Sequence, residues 1–168
     1  ACNEISYLIS NTDPFLNSNI ISKNTSGDSV KNLDLKSNDI MINELSKNMN
    51  IKYIISEENE KIMNINMKGN YLVTFDPLDG SSNIDSNITI GTIFCIYEIN
   101  NINLNEIIIG EKIIAAGYCL YGGSTQLILG DKINGIKLYI LKDNGNNLKE
   151  FTYLKNLEMP MKGKIYAI

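Results

Sequence analysis

The sequence predicts an α+β fold, a two-layer domain with N-terminal helices packed on a largely antiparallel sheet. Three observations carry that expectation. A run with helical spacing lies early in the chain; from Ile51 onward, short β-like runs follow one another with turn-forming residues between them; and 168 residues suffice for one domain with a proper core.

Taken in order, the first twenty residues are weakly patterned, and Asn24–Asp28 (NTSGD) is loop chemistry. From Ser29 to about Asn48, Val30, Leu33, Ile40, Met41, Leu45 and Met49 recur at helical spacing, with Asp28 or Ser29 placed to cap the helix. Asp34 then falls in its early turns, on or near the loop side, and reads as part of a solvated helix face. Ile51–Ser56 (IKYIIS) is a short β-like run that ends in Glu57 and Glu58. A polar segment leads to a second strand, Tyr71–Phe75, ending at Asp76. Further β-like runs are Ile88–Ile99, Ile113–Leu120, Thr125–Leu129, Ile136–Leu141 and Glu150–Leu154, while Asn100–Glu106 and Asp143–Asn147 read as loops.

Composition removes whole chemistries. All fifteen basic residues are lysines, and Arg, His and Trp are missing, so no Ser-His-Asp triad, Cys-His dyad or histidine zinc site can be assembled. A net charge of −4 argues against a nucleic-acid partner, because a phosphate backbone selects a basic face. Cys2, Cys95 and Cys119 are odd in number and widely spaced, which predicts a reducing, cytoplasmic setting rather than a disulfide framework; Cys95 and Cys119 read as buried strand cysteines. The apolar run Ile113–Tyr121 is too short to cross a bilayer. The opening ACNEISYLIS lacks the charged-then-apolar pattern of a signal peptide, and without a Met it suggests a processed or excerpted chain. The abundance of Asn and Ile reads as coding drift, and the sequons at Asn24 and Asn87 follow from it.

The stretch Phe75–Asp85, FDPLDGSSNID, carries more than a turn needs. If Ile51–Ser56 and Tyr71–Phe75 are parallel neighbours, their C-terminal ends bring Glu57, Glu58, Asp76 and Asp79 together. Four carboxylates in one small volume repel unless protonated or neutralised. With no Arg or His to hand, a hard divalent cation such as Mg²⁺ is the natural counter-charge, with the Leu78 carbonyl as a further oxygen donor. Gly80, Ser81 and Ser82 then supply small residues, amides and hydroxyls suited to an anion. Metal-binding carboxylates beside an anion loop imply phosphoryl chemistry. The plainer reading stands alongside: Asp-Pro, Asp-Gly and Ser-Asn pairs are ordinary turn formers, paired glutamates are usually solvated, and Tyr118 and Tyr121 are packing residues. The alternating ligand spacing of an EF-hand is missing.

FDPLDGSSNID followed by IGTIFCIY closely resembles the class I fructose-1,6-bisphosphatase family and its sedoheptulose-bisphosphatase relatives. SGDSVKNLDLKSND, ISEEN, AAGYCLYGGSTQLIL and KGKIYAI agree in the same order, so the resemblance runs from about Asn24 onward. It implies Mg²⁺-dependent hydrolysis of a sugar 1-phosphate, with Mn²⁺ or Zn²⁺ as substitutes. By the same resemblance Glu57, Asp76, the Leu78 carbonyl, Asp79 and Asp28 are metal ligands. Glu58 with Asp34 activates water, and Asp28 also belongs to the catalytic set. Asp79, Gly80, Ser81 and Ser82 contact the phosphate.

Family members are about twice this length, so residues 1–168 match an N-terminal metal-binding domain without the C-terminal sugar-binding half. An Arg that a neighbouring subunit gives to the family's substrate site has no counterpart here. The expected partners are a sugar bisphosphate, the missing half or other subunits, and further copies of a full-length chain. Positions that hold AMP in regulated members read Asn70-Tyr71 and Glu98, an amide and a carboxylate in place of two cations, which predicts no AMP binding of the usual kind. Taken alone, the chain is expected to be weakly active or inactive. A non-catalytic paralogue acting by subunit association is the alternative.

Overall fold

The computed structural model describes residues 1–12, 20–23, 29–99, 110–145 and 149–158. Two helices, α1 (Cys2–Ser10) and α2 (Asn32–Ser46), lie on one face of an eight-stranded sheet. Between them, β1 (Ile20–Lys23) and β2 (Ser29–Lys31) form a small antiparallel pair. The sheet comprises β3 (Ile51–Ser56), β4 (Met63–Asn64), β5 (Tyr71–Asp79), β6 (Ile90–Glu98), β7 (Ile113–Tyr121), β8 (Thr125–Asp131), β9 (Gly135–Asp143) and β10 (Lys149–Leu157). Its spatial order is β10-β9-β8-β7-β6-β5-β3-β4, and every neighbouring pair is antiparallel except β3 with β5. The α+β architecture is therefore the one the sequence predicts.

Alternation along the strands sorts residues between two faces. Ile54, Val73, Phe75, Phe94, Ile96, Cys119 and Tyr121 join Ile5, Leu33 and Met41 from the helices in the main core. Leu72, Tyr97 and Ile99, with Tyr53, Ile55, Cys95 and Ile113, form a smaller cluster on the opposite side. That second face leaves Ile93, Tyr118 and Ile136 exposed, and they line an apolar depression across β6–β9.

Several local expectations are corrected. The weakly patterned opening forms α1, whose Ile5 is fully buried with Leu8 and Ile9 packed beside it, an i, i+3, i+4 set that is readable in retrospect. The second helix starts at Asn32, because Ser29–Lys31 pairs with β1 instead of winding into a first turn, so Ser29 is not its cap. Its sheet-facing residues are Leu33, Asp34, Ser37, Asn38 and Met41, a stripe with three polar members that weakens the hydrophobic signal. The second strand continues past Asp76 to Asp79, and the polar segment before it contains β4. Cys119 is buried as expected, whereas Cys95 is only partly so. Asp28 and Asn100–Glu106 lie outside the described residues.

Ile54 has no exposed surface and sits where β3, β5 and α2 meet. Ile54→Ala should destabilise the domain by about 3 kcal/mol in equilibrium urea denaturation, through lost burial and the cavity left behind. Ile133→Ala, at a position 92% exposed, should change stability by less than about 0.5 kcal/mol in the same measurement.

Candidate metal and phosphate site

The site begins with the single parallel pairing. β3 and β5 run side by side with Ile54 against Val73 and Ser56 against Phe75. That register sets Glu57, the first residue after β3, beside Asp76 within β5. The Glu57 amide donates to the Phe75 carbonyl at 3.1 Å and carries the ladder one residue past the strand. Asp76 pairs with Ile93 on β6, which places it on the face away from the helices. Glu57 and Asp76 line a groove of about 440 Å³ there, with Asn59, Glu60 and Ile93.

Charge crowding is visible at Asp76. Burial, a hydrogen bond shared with Glu57, and the neighbouring charges of Glu57 and Asp79 together push its carboxyl up to about 7; the Leu78 amide, donating to Oδ1 at 2.9 Å, pulls the other way. Two facing acids that hold a proton between them are the protonated answer to the repulsion the sequence predicts. A divalent cation is the other answer. Among the described residues, no three acidic or cysteine groups stand close enough to hold an ion as they are. Glu57 and Asp76 nevertheless make an oxygen-only, doubly acidic donor pair, and that chemistry fits a hard ion such as Mg²⁺.

Between Asp76 and Asp79 the β5–β6 register shifts, and Pro77, which has no amide proton, sits in the irregularity. Its carbonyl instead accepts a hydrogen bond from the buried Thr92 hydroxyl at 2.9 Å, and that hydroxyl also meets the Tyr121 hydroxyl at 2.7 Å. Opposite Asp79 lies Gly91, where a Cβ would come within 2.7 Å of the Cys119 carbonyl oxygen, so the strand tolerates no side chain. Gly80 follows at φ 77°, a left-handed conformation that glycine adopts without strain, and opens a short 3-10 helix over Ser81–Ser86. Such a turn begins with amides that its own hydrogen bonds do not use. Asp79 and Ser82 are exposed and Ser81 is half-buried; Leu78 is buried, at 2% exposure.

On the helix side, Asp34 stands in the first turn of α2 and is 2% exposed, which corrects the solvated-face reading. One turn on, Asn38 accepts from the Ser56 hydroxyl at 2.7 Å and donates to the Asn59 side-chain carbonyl at 2.8 Å. Ser56 in turn accepts from the Glu58 amide at 3.3 Å. This polar network brackets Glu57 and Glu58 from both sides. Sequence reading missed Asn38, Ser56 and Asn59 as site residues; the signal was Asn38 lying one helical turn after Asp34. Tyr121 is a packing residue, as expected, with an added hydrogen bond, whereas Tyr118 is exposed on the open face. Tyr71 pairs with Glu98 across β5 and β6, so the two strand positions weighed for AMP lie side by side.

Comparison with known proteins gives the family. The family profile described as "Fructose-1-6-bisphosphatase, N-terminal domain" matches residues 16–155. The chain belongs to the fructose-1,6-bisphosphatase family. It is 39% identical over 154 residues to the cytosolic fructose-1,6-bisphosphatase of Oryza coarctata, covering 86% of this chain and 43% of that protein. The holo-form crystal structure of Leishmania major fructose-1,6-bisphosphatase superposes with a TM-score of 0.78 at 29% identity, covering 90% of this chain and 50% of the other. A Toxoplasma gondii structure titled a putative sedoheptulose-1,7 bisphosphatase shares the fold, with a TM-score of 0.76 at 22% identity over 90% of this chain and 50% of that one. The family chain described here thus spans about half the length, or less, of these relatives.

Two outcomes follow from this geometry. Asp76 binds its proton more tightly folded than unfolded, so in chelator the fold loses stability as pH rises from about 4 to about 7 and levels off above that. Asp76→Asn should remove that component, read as the difference between the two proteins' urea midpoints across the range. Asn38→Ala should destabilise by about 1–3 kcal/mol in the same assay, since it strands the Ser56 hydroxyl and the Asn59 amide group.

Proposed function

We propose that this chain is the metal-binding N-terminal domain of a Mg²⁺-dependent sugar-bisphosphate phosphatase that hydrolyses the 1-phosphate of fructose 1,6-bisphosphate. The observation that carries this reading is the side-by-side placement of Glu57 and Asp76 by parallel strands, immediately before the register shift between Asp76 and Asp79. Glu57, Asp76 and Asp79, with the Leu78 carbonyl and Asp28, are the ligands the reading assigns. Bound divalent ions would neutralise the phosphate and lower the pKa of an attacking water.

The chain's own residues do the rest. Glu58 leaves the end of β3 and Asp34 the first turn of α2, which packs on β3; together they are the groups assigned to take the proton from the attacking water. Asp79, Gly80, Ser81 and Ser82 are assigned to the phosphate, with the left-handed Gly80 turning the backbone into the 3-10 helix.

The fructose substrate is favoured by the 39%-identical rice relative, whose name also supports a cytosolic setting. Sedoheptulose 1,7-bisphosphate is the alternative, and the likeness there is one of fold. Sugar and 6-phosphate contacts, oligomer formation and full activity are assigned to the sequence by which these relatives exceed this chain. The exposed apolar surface of Ile93, Tyr118 and Ile136 supports a second reading, a non-catalytic chain that acts by association.

The decisive measurement is calorimetric titration of this chain with Mg²⁺ and Mn²⁺, followed by phosphate release from both bisphosphates by the full-length enzyme. Glu57→Gln should weaken Mg²⁺ binding by about tenfold or more and abolish turnover. Unchanged affinity and unchanged turnover in that variant would remove the metal assignment.

A further inference from the structure

Three cysteines were read as unpaired, and all three are free thiols in this structure, but two of them meet. Cys2 lies in the first turn of α1 and packs on the main core cluster that contains Cys119 and Tyr121 of β7. Among the groups it faces there is the Cys119 thiol, close enough for each to shift the other's ionisation. The contact is not incidental to one side chain, because the helix tracks the strand. Ser6, one turn after Cys2, bonds the Thr125 hydroxyl at 2.6 Å, and Thr125 is the β8 partner of Tyr121. Cys2 to Ser6 advances about 6 Å along the helix and Cys119 to Tyr121 about 6.6 Å along the strand, so the two elements stay in step. Asn3 adds a bond to the Lys149 carbonyl at 2.7 Å, tying the same turn to β10.

We propose that Cys2 and Cys119 are a redox site, forming a reversible intramolecular disulfide that clamps α1 to β7. The chemistry divides cleanly between them. Cys2 is half-buried and reachable from solvent, whereas Cys119 has no exposed surface. The Cys2 thiolate attacks one sulfur of a small-molecule disulfide and expels one thiolate, which takes up a proton, leaving a mixed disulfide on Cys2. Cys119 then attacks the Cys2 sulfur and expels the second thiolate, which takes up the Cys119 proton. The protein loses two protons and two electrons, and the external disulfide is reduced to two thiols. Interactions with Cys119 and then Tyr121 favour the Cys2 thiolate over the opposing effect of burial and bring its pKa to about 7, so Cys2 is the attacking group; contact with Cys2, burial and the Cys2 charge push Cys119 upward, and the charge part of that push ends once Cys2 has reacted.

The clamp has a route to the loop beyond it. Tyr121 lies two residues after Cys119, and its hydroxyl meets Thr92, which holds the Pro77 carbonyl. This inference does not depend on the phosphatase reading. The test is native protein incubated with excess glutathione disulfide, then alkylated, with free thiols counted and the linked peptides mapped by mass spectrometry. Free thiols should fall from three to one, a Cys2–Cys119 peptide should appear, and dithiothreitol should reverse both. Cys2→Ser should abolish the cross-link, and Cys95→Ser should leave it intact. Glutathione retained on Cys2 with Cys119 still alkylatable, or a cross-link through Cys95, would overturn the proposal. Should Cys2→Ser fail to fold, the peptide map of the wild-type chain decides the matter alone.

Discussion

One pairing of strands organises this domain. In a sheet that is otherwise antiparallel, β3 and β5 run in the same direction, and their register sets Glu57, just past the end of β3, beside Asp76 of β5. Antiparallel neighbours would have sent Glu57 and Asp76 to opposite ends. Parallel neighbours put two carboxyls against each other, and the repulsion between them must be relieved by a proton or a cation. Parallel strands also need a long connection, and residues 57–70 supply it by running out to the edge strand β4 and back.

The surrounding structure holds that arrangement from three directions. Behind the Glu57–Glu58 corner, α2 presents Asn38 to Ser56 and Asn59 instead of an apolar side chain. Buried polar networks are favourable only when every member finds a partner, and here hydroxyl, amide and backbone satisfy one another. Beyond Asp76, the Pro77 carbonyl accepts from Thr92, itself steadied by Tyr121. Farther on, Gly91 and Gly80 give the backbone room, one by lacking a Cβ against β7 and the other by turning left-handed.

The sheet has two faces with different roles. One is closed by α1 and α2 and carries the main core; the other holds a small cluster, the acidic groove and an exposed apolar tract. The acids therefore stand beside the open surface instead of within the core. On the covered face, α1 rests on β8 through Ser6 and on β7 through the Cys2–Cys119 contact, so the helix outside the proposed catalytic set bears on the same strand that supports Thr92.

By itself the sequence determined the fold class, most strand positions and the meeting of Glu57 with Asp76, because period-two alternation and a carboxylate at each strand end are local features. Family membership was legible for a related reason: FDPLDGSSNID is contiguous. Only the tertiary structure decided the burial of Asp34, the extension of β5 through the Pro77 irregularity, the Asn38–Ser56–Asn59 network and the contact between Cys2 and Cys119. Each of those joins residues distant in the chain or reverses a polar residue's usual preference for water. A strand partner can satisfy a buried hydroxyl or amide, but no spacing along one segment announces where that partner will be.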